Sequence, residues 1–252
     1  MPTPFYHLRV AEVLFEHPDL KVAACERISQ CFPAFLLGNI APDVQVISGQ
    51  SREATHFYRL PMRENCAPAW EQMLSDQPAL KPAGLRDGEQ GVFISGYLCH
   101  LQADWFWVEQ IFEPYFGPHA GWKNFRERLY LHNVLRAYLD FEILENLNGQ
   151  VRSGLGQVDP KDWLPFVDLK HLKAWQAFLT EQLKPGAAIQ TVEVFAARQG
   201  IAAEAYYRLL NTENELQQQI FDFFPEQNLH DFWENLITNN IALLNDLLTS
   251  AT

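Results

Sequence analysis

Thiolate chemistry has little to work with in this chain. Its four cysteines, Cys25, Cys31, Cys66 and Cys99, show no Cys-x-x-Cys spacing, so neither a cysteine-built zinc site nor a disulfide framework is encoded, and most read as buried thiols. Basic clusters are missing too: 19 Lys and Arg stand against 31 Asp and Glu, a formal net charge of -12. With no cationic cluster to track a phosphate backbone, stable nucleic-acid binding is not expected. A small phosphorylated substrate stays open, because metal ions supply local positive charge that net charge does not register. No run approaches the roughly 18 consecutive apolar residues of a membrane span. The opening Met1-Pro-Thr-Pro-Phe-Tyr-His-Leu-Arg9 lacks the basic stretch and apolar core of a secretory signal. The expectation is a soluble, cytoplasmic protein, with nothing to fix its oligomeric state.

Alternating strand patterns are also absent. Apolar residues recur at three- and four-residue steps, predicting a helical hairpin over 10–15 and 20–28 broken at His17-Pro18-Asp19, then a short helix from Ala34 running into a loop that ends at Asp43. A modest helix follows over 68–74, a Pro- and Gly-marked connection over 78–88, a central helix over 89–112 and a long amphipathic helix over 125–147. Helical periods return near 171–183, 187–199, 200–224 and 228–249, whereas 44–65 is polar and irregular and places His56 on a loop or short turn. At 252 residues and 48% hydrophobic content, one large core is feasible. The fold class is all-α: a single-domain multi-helical bundle with a metal cluster at its centre. Residues 1–147 form the metal-binding region, and 148–252 form a supporting region of the same domain, joined by a Gly- and Ser-rich stretch.

Five residues carry the metal expectation: His7, Asp43, His56, His100 and Asp104. Imidazole nitrogen and carboxylate oxygen without sulfur suit Zn²⁺ or a similar divalent ion used in hydrolysis. His100 and Asp104 stand one helical turn apart and can face one ion, although the same spacing serves an ordinary helix contact. Asp43 leaves a Gly- and Pro-shaped loop and His56 follows Thr55 in a polar stretch, places where backbone aims side chains. His7 follows two prolines and is also compatible with a plain helix-entry histidine. His17, His119, His132, His171 and His230 are expected to face solvent. Around the ligands, Phe57, Tyr58, Trp105, Phe106, Trp107, Phe112, Tyr115 and Phe116 serve either as core or as an apolar substrate wall, with core the commoner duty of such spacing.

In order, His7, Gly38-Asn-Ile-Ala-Pro-Asp43, Thr55-His56 and Gly96-Tyr-Leu-Cys-His100-Leu-Gln-Ala-Asp104 resemble the bacterial zinc-dependent phospholipase C family, over about residues 1–145. The resemblance implies an all-helical fold, related to that of single-strand-specific zinc nucleases, and a cluster of three zinc ions. It implies that Asp43, His56, His100 and Asp104 hold one ion and that His7 with a shared Asp104 holds its neighbour, helped by the amino-terminal residue. Family members are secreted and processed, whereas removal of Met1 here leaves Pro2. The third ion's ligands fall at Gln110 and at the pair His132/Arg136, where Gln and Arg stand in place of His and Glu. One or two zinc ions, or another divalent metal, are therefore expected.

The resemblance points to hydrolysis of a small phosphoester or phospholipid-like substrate by a metal-activated water. Asp43 is the candidate general base, with Glu53 and Glu109 as weaker alternatives. Arg136 is either a fixed charge offering paired donors to a phosphate oxygen or a surface partner of Asp140 one turn away. Two other readings compete: a non-catalytic helical protein that keeps a structural or binding metal site, and a hydrolase of phosphomonoesters or nucleotides on the same scaffold. His-Asp phosphohydrolases need an adjacent pair, and His230-Asp231 is isolated near the carboxyl end.

Overall fold

The computed structural model describes residues 1–62, 65–81, 88–122 and 124–249. In chain order the helices are α1 (Pro4–Glu16), α2 (Val22–Gln30), α3 (Phe32–Ile40), α4 (Gln45–Ser48), α5 (Arg52–His56), α6 (Ala69–Asp76), α7 (Gly88–Trp107), α8 (Phe125–Asn146), α9 (Gly149–Gly154), α10 (Leu169–Gln182), α11 (Thr191–Gln199), α12 (Ala203–Leu210), α13 (Glu213–Leu216) and α14 (Gln227–Thr249). No strand occurs among the described residues. The chain is all-α.

Local chemistry sets the ends of the first helix. Thr3 is extended and its hydroxyl accepts the Tyr6 N–H, while Pro4 takes the first helical position, where its missing N–H costs nothing. The helix stops at His17, held extended because Pro18 follows it. The hairpin expected over 10–15 and 20–28 is α1 and α2.

The centre is the crossing of α3 and α7. Every residue of α3 except Pro33 is buried, as a helix apolar on all sides must be when it is internal. Full burial of each large side chain, such as Phe35, Leu36 and Leu37, contributes about 1.5–3 kcal/mol. Two glycines let the helices touch backbone to backbone. A Cβ on Gly38 would lie 2.0 Å from the Phe93 carbonyl oxygen, and one on Gly96 would lie 2.5 Å from that of Phe35. Glycine is required at both by close approach.

Around this pair, α1, α6 and α14 pack on α7, and α8 packs on α1 and α11. The carboxyl-terminal helices are tied to the centre by Trp175 of α10, whose indole N–H donates to the Ile40 carbonyl over 2.8 Å. Ile40 stands where α3 passes into the 3₁₀ turn Ala41–Val44, so this bond fastens α10 at the junction that leads to Asp43.

The central helix ends earlier than its predicted 89–112. α7 stops at Trp107 and continues as a π-helical segment, Val108–Phe116, with Pro114 inside it. Proline removes a donor and crowds the carbonyl four residues back, and a wider turn accommodates both. The irregular 44–65 stretch contains α4 and α5, too short to show a period, and α4 is closed by Gly49 in the left-handed region at φ 74°. The expected 200–224 helix is divided into α12, α13 and a π-turn, Gln217–Phe221. Of the predicted 78–88 connection, residues 82–87 lie outside the described residues. No single described helix is long and apolar enough to cross a membrane; the pair Val22–Gln30 and Phe32–Ser48 passes by length and composition but bends by 88°, and its α3 portion is interior.

Candidate metal centre

His7 from α1, Asp43 from the 3₁₀ turn after α3, His56 from the end of α5, and His100 and Asp104 from α7 converge in the interior, and all five are buried. Their ligand atoms form two groups, His7/His100/Asp104 and Asp43/His56/His100, each within 4.8 Å of one another. His56 Nε2 lies 3.5 Å from Asp43 Oδ1 and 3.3 Å from Asp104 Oδ2. His100 Nε2 is 3.4 Å from His56 Nε2 and 3.7 Å from Asp104 Oδ2. His7 Nε2 is 3.4 Å from Asp104 Oδ1. A tetrahedral ion with ligands at roughly 2.0–2.1 Å spaces its donors about 3.4 Å apart. The observed separations match the edges of such a polyhedron.

Hydrogen bonds on the far side of the rings aim the donors. His100 Nδ1 donates to the Asn39 carbonyl over 2.7 Å, which leaves Nε2 as the lone-pair nitrogen turned toward the cluster. His56 Nδ1 is 2.9 Å from the Thr55 hydroxyl, itself 3.3 Å from the Arg52 carbonyl, and Tyr97 fixes this turn by donating to the Thr55 carbonyl over 2.5 Å. Such outer contacts set tautomer and orientation at metal sites. Both ring nitrogens of His7 and Asp104 Oδ1 are buried with no hydrogen-bond partner. Orphaned buried acceptors are expensive, and a shared cation satisfies His7 Nε2 and Asp104 Oδ1, which lie 3.4 Å apart. The residues fit a divalent metal.

Protonation also suits ligation. Burial, aided by neighbouring His100, lowers the His7 pKa to about 4, so the ring is neutral at physiological pH. Burial opposes ionisation of Asp43, but the His56 hydrogen bond and nearby His100 hold its carboxyl below the usual range. Asp104 is likewise held ionised against burial, chiefly by Arg52 and His100.

Arg52 is a member of the centre that the sequence reading missed. Its guanidinium donates to Asp104 Oδ2 and, over 3.0 Å, to the Tyr58 hydroxyl. It stands one turn before His56 on α5, the spacing that places two side chains on one face, and that spacing was its available signal. Burial works against its charge, yet Tyr58 and Asp104 hold the pKa above the ordinary arginine value.

His132 corrects an expectation. It is buried, not solvent-facing: its Nε2 accepts the Trp107 indole N–H over 2.9 Å, and the Phe112 and Phe116 rings each lie 5.0 Å away. Burial first, then nearby cationic groups, push its pKa well below normal, keeping it neutral. Arg136 makes no ion pair with Asp140. It donates to Asn133 Oδ1 over 3.0 Å and to the Pro2 carbonyl over 3.4 Å, lies 4.4 Å over the Phe195 ring, and has a buried Nε without a partner. Asp140 instead accepts from the hydroxyls of Thr3 and Thr191. Glu53 and Glu109 are exposed, and Glu109 accepts the Trp105 indole N–H over 2.7 Å. Of the other histidines, His119 and His230 are exposed and His17 and His171 partly so.

A cavity of about 260 Å³ opens beside the cluster. Asp43, Arg52 and Arg136 line its inner side, and Trp175, Phe178 and Phe195 of α10 and α11 form the apolar side. The aromatic wall thus comes from the region after 148, while Tyr58, Trp105, Trp107 and Phe116 are buried in the core. Met1 also lines the cavity, with its α-amino pKa lowered by burial and then by Arg136. A second, largely apolar hollow of about 370 Å³ shares Met1 and Arg136 and is lined by Leu60, Phe112, Phe125 and Leu129.

Fold and donor set together define an all-helical protein whose buried imidazoles and carboxylates can hold divalent metal. The model of the family described as zinc dependent phospholipase C matches residues 6–186, more than half of the chain, and the chain belongs to that family. Comparison with curated proteins and with solved structures gives no match.

Proposed function

We propose that this protein hydrolyses phosphoester bonds, with zinc held by His7, Asp43, His56, His100 and Asp104. One observation carries the proposal: the cavity's inner wall joins a metal-capable carboxylate, Asp43, to two guanidinium groups, Arg52 and Arg136. Bound zinc in such a site supplies Lewis acidity and lowers the pKa of water from 15.7 to about 7. Arg136, which lines the cavity, offers its guanidinium to a non-bridging phosphate oxygen, a charge-assisted contact that strengthens as the phosphate gains negative charge. Asp43, ionised and open to the cavity, accepts the proton of the attacking water; a positioned base contributes about 10²–10⁴-fold. One or two ions per chain are expected, because at the third position His132 already spends its Nε2 lone pair on Trp107.

The test is elemental analysis of untagged protein before and after chelation, with hydrolysis of bis(p-nitrophenyl) phosphate on the same samples. One or two zinc ions per chain with chelator-sensitive turnover is the expected result, and Arg136→Ala should keep the zinc and lose most turnover. Tightly bound zinc without turnover on phosphodiesters or phosphomonoesters favours a structural or binding site instead. Protein without metal overturns the ligand set.

A further inference from the structure

The charge around the 260 Å³ cavity runs against that of the protein. The chain carries a net charge of -12, yet Arg52, Arg136 and Arg198 line this cavity, and Asp43 is the one acidic side chain among the described residues that do. Asp43 belongs to the metal-capable group, so no carboxylate is left to pair with a cationic substrate. Aromatic faces are the other receptor for a quaternary ammonium, and here the Phe195 ring already meets a cation, while one face of Phe178 is stacked. Arg136 lies 4.4 Å over Phe195, and Phe178 stacks on Trp175 at 5.7 Å with 20° between planes. Arg198, exposed on α11, sets a positive charge at the rim, beyond the Arg136 that faces the reacting phosphoester.

We propose that the cavity selects amphiphilic phosphoesters whose head group carries a further anionic group, and rejects those with a cationic head. This rests on the phosphoesterase reading above. The phosphoester sits at Arg136, the second anion meets Arg198, and the hydrocarbon lies in the apolar hollow that also borders Arg136. Phe125 and Leu60, 64% and 37% exposed, give that hollow an apolar entrance. A positive cleft in an acidic protein also concentrates anions locally.

The experiment is calorimetric binding to zinc-loaded protein of dihexanoyl phosphatidylinositol 4-phosphate, its deacylated glycerol counterpart and dihexanoyl phosphatidylcholine, all below their micellar concentrations. The anionic lipid should bind at least tenfold tighter than the choline lipid, and Arg198→Glu should erase most of that difference while leaving zinc content and helicity unchanged. A tenfold weaker deacylated ligand supports a lipid source; equal affinity supports the same head-group selection for a soluble ester and removes the hollow's role. Equal or tighter binding of the choline lipid overturns the proposal, as does binding by neither lipid or a preference untouched by Arg198→Glu. Binding does not depend on turnover: a protein that selects anionic heads without hydrolysis sinks the proposed activity alone, whereas zinc-dependent hydrolysis with choline preference sinks this inference alone.

Discussion

Replacing Gly38 by Ala tests whether the α3–α7 contact sets the metal site. The new Cβ falls 2.0 Å from the Phe93 carbonyl oxygen, whereas even close C···O contacts sit at roughly 3.3 Å. The helices must move apart by more than about 1 Å. Overpacking of this kind costs roughly 1–3 kcal/mol. Next to it, the 2.7 Å bond from His100 to the Asn39 carbonyl stretches beyond use, adding about 1–3 kcal/mol for buried groups left unpaired. Alanine returns at most about 1 kcal/mol of helix propensity. The net loss is about 3 kcal/mol, a large share of the roughly 5–15 kcal/mol that stabilises a domain. Because Asp43 follows α3 while His100 and Asp104 ride on α7, the same shift spreads the ligands, and zinc should fall along with the urea midpoint. Far-UV circular dichroism in urea and zinc content at zero urea read the two effects. A variant within about 0.5 kcal/mol of wild type that keeps its zinc refutes the account.

Asp104→Asn should lose zinc and turnover together, by more than the roughly 10–100-fold that outer contacts of a metal site command, while His230→Ala changes neither; elemental analysis with the phosphodiester assay decides, and zinc retained by Asp104→Asn removes that residue from the ligands. Asp140 is raised to about 7, by burial against the pull of its two threonine hydroxyls, and its unfolded pKa is about 3.9. The native state therefore holds the extra proton between these values, and stability falls by about 4 kcal/mol as pH rises through that window. Asp140→Asn should abolish this slope, and parallel stability curves for the two proteins at pH 5 and pH 8 would count against it. His132→Phe should leave zinc per chain unchanged and cost about 1–3 kcal/mol by stranding the Trp107 N–H; loss of one zinc would make His132 a ligand.

Ligand chemistry is legible because few residue types supply it, and motifs such as Gly-x-x-x-Pro-Asp43 and His100-x-x-x-Asp104 hold those types at spacings that only a defined backbone uses. The long helices were legible for a related reason: α7, α8 and α14 repeat their apolar period often enough to be seen. α4, α5 and α13 span 4–5 residues each and complete barely a turn, so periodicity has nothing to register. Arg52 looked like one more charge in a polar stretch, and its pairing with Asp104 joins positions 52 residues apart. Phe178 and Phe195 reach the cavity through the packing of α10 and α11, which no local pattern encodes. His132 lies between Leu131 and Asn133 with Arg128 and Arg136 one turn away on either side, and its burial depends on Trp107 at the end of α7 and on Phe116 at the end of the π-helical segment.

The bond from Arg52 to Asp104 bears on the order of events in this protein's life. A buried carboxylate that brings its own counter-cation depends less on an ion in order to be tolerated, although Arg52 meets only Oδ2 and leaves Oδ1 of the same group without a partner. Zinc finger domains, by contrast, are unfolded until they are loaded. Arg52 and a bound ion would compete for the same Asp104 oxygen. Folding and metal loading would then be separable steps, unlike in a zinc finger.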